Sequence, residues 1–257
     1  MSHGVTLGRL GLAVAFFAVW QIASATFASY VLPSPLVTAQ TVVTGIREGW
    51  LVGATLVTLK ETIPAFLIAA TTGFALGVLL GVSRFWGSVF EPMILGTYAI
   101  PKITLYPIFL LVFKVGSASK IAFGFFHGVF PIQIVSQAAT ANLNPVFLKV
   151  ARTLGLSPWQ IAVHVVMPAI FPALIVGLRL AFSLTFIGVV LGEMIASNAG
   201  LGFLLSASDA TFDLKRTLAV LVVLAVIGVG ANALFFAWER RMTPLRAGMP
   251  ELDVARK

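Results

Sequence analysis

Long uncharged stretches alternate with short polar segments along the chain. Charged residues are absent from four stretches, 10–46, 62–83, 121–148 and 217–238, and are rare in two more, 92–113 and 171–196. Because about 20 consecutive apolar residues cross the hydrocarbon core of a bilayer, the pattern predicts an all-α integral membrane protein. We expect six transmembrane helices, near residues 9–30, 57–83, 93–113, 120–141, 171–196 and 215–238.

Composition supports a membrane location. Of the 257 residues, 59% are hydrophobic and 10% are charged, whereas about 25% of residues in a soluble domain are charged. The predicted helices fill most of the length, so we expect a single transmembrane domain over residues 1–257. The chain has no cysteine, which excludes disulfides, thiolate catalysis and cysteine-based metal sites.

Net charge and its distribution indicate how the chain is oriented. The formal charge is +8, and the basic residues lie mostly between the apolar stretches, which fits anionic lipid head groups better than nucleic acid. Six spans place both termini on one side of the membrane. Since the positive-inside rule applies, we expect both termini to be cytoplasmic, because the C-terminal tail contains Arg240, Arg241, Arg246, Arg256 and Lys257.

The segment from residue 142 to residue 170, called loop 142–170 below, does not have the composition of a span. Asn144-Pro145 and Ser157-Pro158 are each typical of a helix N-terminus, and Gly155 between them is a natural helix end. The pattern predicts a short helix, a glycine turn, and a second short helix that ends before Pro168. A new span would then start at Pro172. Such a rigid cytoplasmic knob suits docking to a partner, although an amphipathic hairpin lying on the lipid head groups would also fit.

Small residues recur every fourth position in the second predicted span, and they allow another helix to approach closely. This stripe predicts packing inside the helix bundle or, as an alternative, an interface between subunits. Its members are Ala65, Ala69, Gly73, Gly77 and Gly81.

Lys102 is the only charged residue in the third predicted span. A bare ammonium in hydrocarbon is costly, so it should face protein, water or an anion. It could line a pathway and attract an anionic solute, together with Tyr98 and Thr104, or it could reach the membrane surface or pair with a carboxylate.

Four further polar residues within predicted spans are candidates for a functional role. Gln133 and Gln137 share one helix face and could line a pathway or form hydrogen bonds between helices. Arg179 and Glu193 are too far apart on one helix to pair with each other. Structural ion pairs or caps are therefore expected for both, and transport roles are the alternative, with Arg179 as a candidate pathway residue.

Motifs for catalysis and cofactor binding are absent from the sequence. His127 stands alone in an apolar run, and no histidine or carboxylate set has metal-ligand spacing, so no metal site is predicted. No catalytic residues can be assembled from three scattered histidines. The chain also lacks the G-x-x-x-x-G-K-[ST] phosphate-binding loop. We therefore expect no enzymatic activity and no cofactor bound by this chain.

Loop 142–170 resembles the shared cytoplasmic loop of permease subunits from binding-protein-dependent ABC importers. That loop reads E-A-A, three residues, G, nine residues and I-x-L-P. Here Lys149-Val150-Ala151, Gly155 and the run from Val165 to Pro168 keep the spacing, although Lys149 and Val150 replace the glutamate and the first alanine. Further motifs are similar to the nitrate, taurine and aliphatic-sulfonate branch: Leu32-Pro33-Ser34-Pro35, Ile100-Pro101-Lys102 with Pro107, Gly116 to Ile121, Ala151 to Gly155, Gly177-Leu178-Arg179 and Gly200-Leu201-Gly202.

The resemblance implies a function and a set of partners. A multi-pass subunit of the bacterial inner membrane would pair with a second copy, as a homodimer, around a pathway for a small anionic or polar organic solute. An external binding protein would deliver the solute, and two copies of a partner ATPase would bind ATP and Mg²⁺. The resemblance implies ATPase docking by Arg152, Thr153, Leu154, Gly155, Leu156 and Ser157, and an outer gate near Asn198, Gly200 and Gly202.

A stand-alone, ion-coupled secondary transporter is the alternative. That class needs carboxylates or broken helices near the middle of the membrane to hold the coupling ion. Among the carboxylates, only Glu193 is deep enough within a predicted span, and it lies near one end.

Overall fold

The computed structural model describes residues 2–26 and 32–242, and the secondary structure of these residues is entirely helical. This confirms the all-α class. The α-helices are α1 Ser2–Thr26, α2 Pro35–Arg47, α3 Trp50–Val82, α4 Arg84–Ala99, α5 Tyr106–Phe113, α6 Ser117–Ala141, α7 Pro145–Thr153, α8 Pro158–Ile161, α9 Met167–Ile195, α10 Leu201–Ala210 and α11 Leu214–Met242. A 3₁₀ turn, Lys102–Leu105, precedes α5, and a π turn, Ala162–Val166, joins α8 to α9.

Four described helices are long and apolar enough to cross a membrane: Trp50–Val82, Ser117–Ala141, Pro158–Ile195 and Leu214–Arg241. The pair α4 and α5 adds a fifth if it is counted as one broken span. Helix α1 has an apolar part, Gly11–Thr26, and positions 27–30 of the first predicted span lie outside the described residues. The count of six spans therefore stays a prediction.

The third predicted span, 93–113, is not one continuous helix. Helix α4 begins earlier, at Arg84, and the two arms of the span meet at an angle of 88°. Pro101 is the physical reason, because proline has no N–H to donate and forces the residue before it into an extended conformation. Ile100 has that conformation, with φ −63° and ψ 135°.

Residues 35–47, to which the sequence analysis assigned no element, form helix α2 with Ser34 as its cap: the Ser34 hydroxyl accepts a hydrogen bond from the Val37 N–H at 3.3 Å. One more expectation was wrong. The second helix of loop 142–170 does not end before Pro168. It continues through the π turn into α9, so Pro168 and Pro172 lie inside a continuous helix and neither begins a span.

The chain divides into two compact units. The first comprises residues 1–60 and 193–227, and its core contains Leu51 and Ala54 of α3, Leu201 of α10 and Val220 of α11. The second comprises residues 61–192 and 228–257, of which the structure describes residues up to 242.

Helix α6 is the centre of the second unit. One face of α6 packs against the small-residue stripe of α3, where Gly77 approaches the backbone oxygen of Gln133 and the side chain of Ser136. The first half of α6 also packs against α9, with Gly124 against Val189. All five residues of the stripe are buried within this unit, so packing inside the bundle is what the structure shows.

Candidate functional site

Loop 142–170 begins with a well-capped helix. The side chain of Asn144 accepts a hydrogen bond from the Val146 N–H at 3.0 Å, and Pro145 occupies the first helical position. Helix α7 then ends in a paired closure: the Gly155 N–H donates to the Arg152 carbonyl at 3.0 Å, and the Leu156 N–H donates to the Ala151 carbonyl at 3.1 Å. This is the Schellman arrangement, which needs a residue with positive φ.

Gly155 supplies that conformation, with φ +70°. Helix α8 follows with a reciprocal cap. The Ser157 hydroxyl accepts from the Gln160 N–H at 3.3 Å, while the Gln160 side-chain oxygen accepts from the Ser157 N–H at 2.8 Å. Two capped helices joined by one constrained glycine make the loop rigid, because few backbone angles between them are free to vary.

The inner side of the loop holds it to the rest of the second unit. Leu148 and Ile161 pack on a core of Val166, Ile170 and Leu174, which also contacts Phe74 and Val78 of α3. Ala151 is buried as well.

The outer side of the loop combines exposed apolar and basic side chains. Leu154 is 71% exposed and Trp159 is 76% exposed, with the basic residues Lys149 and Arg152 also on the surface. A rigid surface with large exposed apolar side chains and positive charge is typical of an interface with another protein. Five of the six residues predicted to dock, all except half-buried Leu156, are exposed.

The break between α4 and α5 brings three predicted pathway residues together. The ammonium of Lys102 lies 4.2 Å from the ring centroid of Tyr98 and donates a hydrogen bond to the Tyr98 carbonyl at 3.0 Å. It also lies 5.7 Å from the ring centroid of Phe130 on α6. Thr104, in the same 3₁₀ turn, is exposed, and its hydroxyl donates to the Pro101 carbonyl at 2.7 Å.

The two glutamines of α6 bond to each other and to the first arm of the broken span. The Gln133 amide donates to the Gln137 side-chain oxygen at 2.6 Å, and the Gln137 amide lies 3.5 Å from the Gly87 carbonyl of α4. Gln133 is buried and Gln137 is half-buried. This geometry is that of a polar contact between helices α6 and α4.

Arg179 is placed away from this cluster of contacts and is ion-paired. Its guanidinium lies 3.3 Å from Glu239 of α11, and both side chains are partly exposed. The pair is a structural ion pair of the kind that the sequence analysis expected for Arg179.

Glu193 is buried and binds the start of α10. Its Oε2 accepts from the Gly202 N–H at 2.8 Å and from the Thr58 hydroxyl at 2.9 Å. The Thr58 hydroxyl in turn accepts from the Leu201 N–H at 2.8 Å. Gly200, with φ +103°, lies directly against the carboxylate, where a side chain would overlap it. The three predicted gate residues thus differ: Gly200 and Gly202 belong to a buried cap, while Asn198 is exposed.

Sequence reasoning missed a buried ion pair in the second unit. The Lys120 ammonium lies 2.8 Å from Glu61 Oε1, and in the sequence these two residues directly precede the uncharged stretches 62–83 and 121–148. A usable signal was present, because Glu61 precedes the stripe of α3 by four residues and Lys120 precedes Gly124 by four. Both charges therefore continue a buried helix face.

No group of three or more histidine, cysteine or carboxylate side chains lies close enough to hold a metal ion among residues 2–26 and 32–242. His127 is buried in α6, and its Nδ1 lies 3.0 Å from the Phe123 carbonyl.

Comparison with known proteins adds the family context. Residues 73–244 match the family described as binding-protein-dependent transport system inner membrane component. A probable ABC transporter permease protein of Haemophilus influenzae is 32% identical over 213 residues, 82% of this chain and 86% of that protein. The nitrate import permease protein NrtB of Synechococcus elongatus is 30% identical over 240 residues, 88% of this chain and 86% of that protein.

A relative in Bacillus subtilis, the putative aliphatic sulfonates transport permease protein SsuC, is 24% identical over 237 residues, 91% of this chain and 86% of that protein. Among solved structures, a chain of the methionine ABC transporter MetNI in an inward-facing form covers 76% of this chain and 97% of its own length. Its TM-score is 0.69 at 18% identity, so it shows a shared fold.

Proposed function

Because this chain belongs to the binding-protein-dependent transport system inner membrane components, the permease subunits of ABC importers, we propose that it forms the pathway for a small polar or anionic organic solute. An external binding protein delivers the solute, and a separate ATPase drives its passage. Relatives named for nitrate and for aliphatic sulfonates support a compact anion. The chain itself hydrolyses no ATP, and ATP and Mg²⁺ bind to the partner.

The rigid outer side of loop 142–170 is the observation that carries this proposal. A constrained glycine turn with an exposed tryptophan and an exposed leucine is not needed to bind a transported solute. It suits contact with an ATPase, because a rigid loop transmits the movement of the ATPase to the permease, whereas a flexible loop would absorb that movement. We propose that residues 152–157 and Trp159 contact the ATPase, with Lys149 and Arg152 facing acidic groups on it.

The assembly follows from the same role. Two copies of the chain pair around the pathway, each docked to one of two ATPase subunits. Docking places loop 142–170 in the cytoplasm, and the basic C-terminal tail, whose Arg246, Arg256 and Lys257 lie outside the described residues, places both termini there too. The membrane is the bacterial inner membrane.

The pathway is proposed to run along the broken span. Tyr98, Lys102 and Thr104 line it at the break, and Gln133 and Gln137 line it on α6. Since Arg179 is already paired with Glu239, we assign it a structural role. Asn198, Gly200 and Gly202 form the outer gate, where the cap formed by Glu193 fixes the start of α10.

Co-purification tests the proposal. The tagged chain is extracted from its native host in mild detergent, and the proteins that accompany it are identified by mass spectrometry. We expect an ABC ATPase to be present with the parent chain and lost with Gly155→Arg, because any non-glycine side chain strains the φ of +70° and the arginine projects from the docking surface.

Gly49→Arg is the matched control. Gly49 has φ +84°, and, as at Gly155, no atom lies within 4 Å of where its Cβ would be. The same backbone strain is therefore introduced outside the loop, and the ATPase should be retained. Trp159→Asp, which strains no backbone, should lose the ATPase as Gly155→Arg does. If neither loop variant loses an ATPase, or if the parent chain purifies alone yet transports, the docking role is wrong and a stand-alone secondary transporter replaces it.

A further inference from the structure

Lys102 lies at the bend between helices α4 and α5. Pro101 ends α4 and turns the chain by 88° before α5, so the 3₁₀ turn that begins at Lys102 sits at the corner of the broken span. The lysine is half-buried there. Its ammonium lies 4.2 Å from the ring centroid of Tyr98 and 5.7 Å from that of Phe130.

The neighbours hold the ammonium without neutralising it. A lysine has three N–H donors, and one of them is used by the Tyr98 carbonyl at 3.0 Å. The faces of the two aromatic rings attract a cation but carry no net charge. Within residues 2–26 and 32–242, no carboxylate oxygen lies within 4 Å of this ammonium.

Two other basic side chains within the spans of the second unit have a carboxylate partner: Lys120 lies 2.8 Å from Glu61, and Arg179 lies 3.3 Å from Glu239. Lys102 differs from these two, because it is half-buried in the broken span and keeps N–H donors that no carboxylate of the described residues accepts. A cation kept in a low-dielectric setting without a fixed counter-charge is a site for a mobile anion.

We propose that Lys102 is the residue that makes this permease select an anionic solute, by binding the carboxylate, sulfonate or nitrate-type oxygens of that solute during passage. This inference rests on the proposed transport function and names its substrate class. Two N–H groups suit two oxygens of one compact oxyanion. Tyr98 and Phe130 hold the ammonium in place and contact the less polar part of the solute.

The absence of cysteine allows a direct test in the full chain. Thr104→Cys places a single thiol in the same turn as Lys102, at an exposed position. Membrane vesicles from the native host are treated with an anionic methanethiosulfonate reagent (the sulfonatoethyl form) or a cationic one (the trimethylammonium-ethyl form). The ratio of the two modification rates is then measured with Lys102 present and in Lys102→Gln.

We expect Lys102→Gln to lower the anionic-to-cationic rate ratio about tenfold, since one unit charge within a few ångströms acts on the two reagents in opposite directions. Lys102→Arg should keep the ratio. Lys114→Gln is the control: it removes an exposed lysine that directly follows the broken span, and it should leave the ratio unchanged. Sodium nitrate and sodium methanesulfonate should slow modification more than sodium chloride at equal ionic strength, and only when residue 102 is basic.

Two results would overturn the inference. One is a ratio that Lys102→Gln does not change. The other is a thiol that reacts with a membrane-permeant neutral maleimide but with neither charged reagent, because Lys102 would then lie against lipid head groups and not on an aqueous path. Co-purification of the ATPase with the Thr104→Cys chain separates the two proposals: if the ATPase is retained and the ratio is insensitive, only the inference about Lys102 fails.

Discussion

The Lys120 ammonium lies 2.8 Å from Glu61 Oε1, and the two side chains are only 5% and 3% exposed. Lys120 also covers Gly192 of α9, whose carbonyl accepts a hydrogen bond from the Tyr106 hydroxyl at 3.0 Å. Tyr106 is the first residue of α5, directly after the corner at Lys102. The buried ion pair thus belongs to the cluster that anchors the second arm of the broken span.

Replacing one residue of this pair should destabilise the protein far more than replacing both residues. Glu61→Gln and Lys120→Met should each lower the free energy of unfolding by about 3–5 kcal/mol, because each leaves one buried charge without its partner. The double variant should recover part of that loss, since neither charge remains. Denaturant unfolding in detergent micelles measures the free energy of unfolding of the two single variants and of the double variant. If the loss in the double variant equals the sum of the two single losses, the two side chains do not interact.

The cap at the start of α10 should control the local stability of that helix. Thr58→Val removes the hydroxyl that accepts from the Leu201 N–H and donates to Glu193. We expect a loss of about 1–2 kcal/mol, typical of a lost helix cap, and faster hydrogen exchange at the Leu201 and Gly202 amides. Thr55→Val is the control, because the Thr55 hydroxyl bonds only one turn back within α3, to the Leu51 carbonyl. If the Leu201 and Gly202 amides exchange at the same rate in Thr58→Val and Thr55→Val, Thr58 does not cap α10.

Close packing of α6 makes the fold sensitive to single methyl groups. In Gly128→Ala the new methyl would overlap the Thr185 hydroxyl and lie 2.9 Å from the Ala181 carbonyl. Overpacking of this kind costs about 1–3 kcal/mol, so the thermal midpoint in detergent should fall. Gly228→Ala is the control, because no atom lies within 4 Å of its added methyl. A Gly128→Ala protein as stable as the parent would show that α6 and α9 can separate at no cost.

The ion pair between Arg179 and Glu239 allows a test of whether Arg179 has a structural role or a transport role. Both are partly exposed, so Arg179→Gln should lower stability by less than about 1 kcal/mol. If the ion pair is what matters, the exchange Arg179→Glu with Glu239→Arg should restore ATP-driven uptake that either single charge reversal reduces. Uptake that stays low in the exchanged protein, with normal amounts in the membrane, would instead place the guanidinium in the solute pathway.

Local signals in the sequence predicted loop 142–170 well. Caps, N-terminal prolines and the C-terminal glycine act over four or five residues, so Asn144, Gly155 and Ser157 could be interpreted without knowing what surrounds them. The apolar stretches likewise predicted the long helices. The ATPase contacts, the pathway residues and the gate remain predictions that the experiments above test.

Features that depend on contacts between distant helices could not be predicted in the same way. Glu61 and Lys120 lie near the ends of two predicted spans, 57–83 and 120–141, but nothing local shows that these two opposite charges meet across helices. The break at Pro101 was also missed, since hydropathy averages over a window and does not register the one missing N–H that bends the chain. The continuation through Pro168 needed a π turn, which no residue pattern in the segment indicated.

That π turn has a geometric consequence for the docking surface. The Met167 N–H donates to the carbonyl of Ala162, five residues back, so the turn contains one residue more than an α-helix would use. A single residue advances a helix by about 100° around its axis. The direction in which Trp159 points relative to α9 is therefore set by one additional residue. Deleting a residue between 162 and 166 would rotate the tryptophan around the helix axis by about 100°, and it would leave residues 152–157, which are proposed to contact the ATPase, unchanged in sequence.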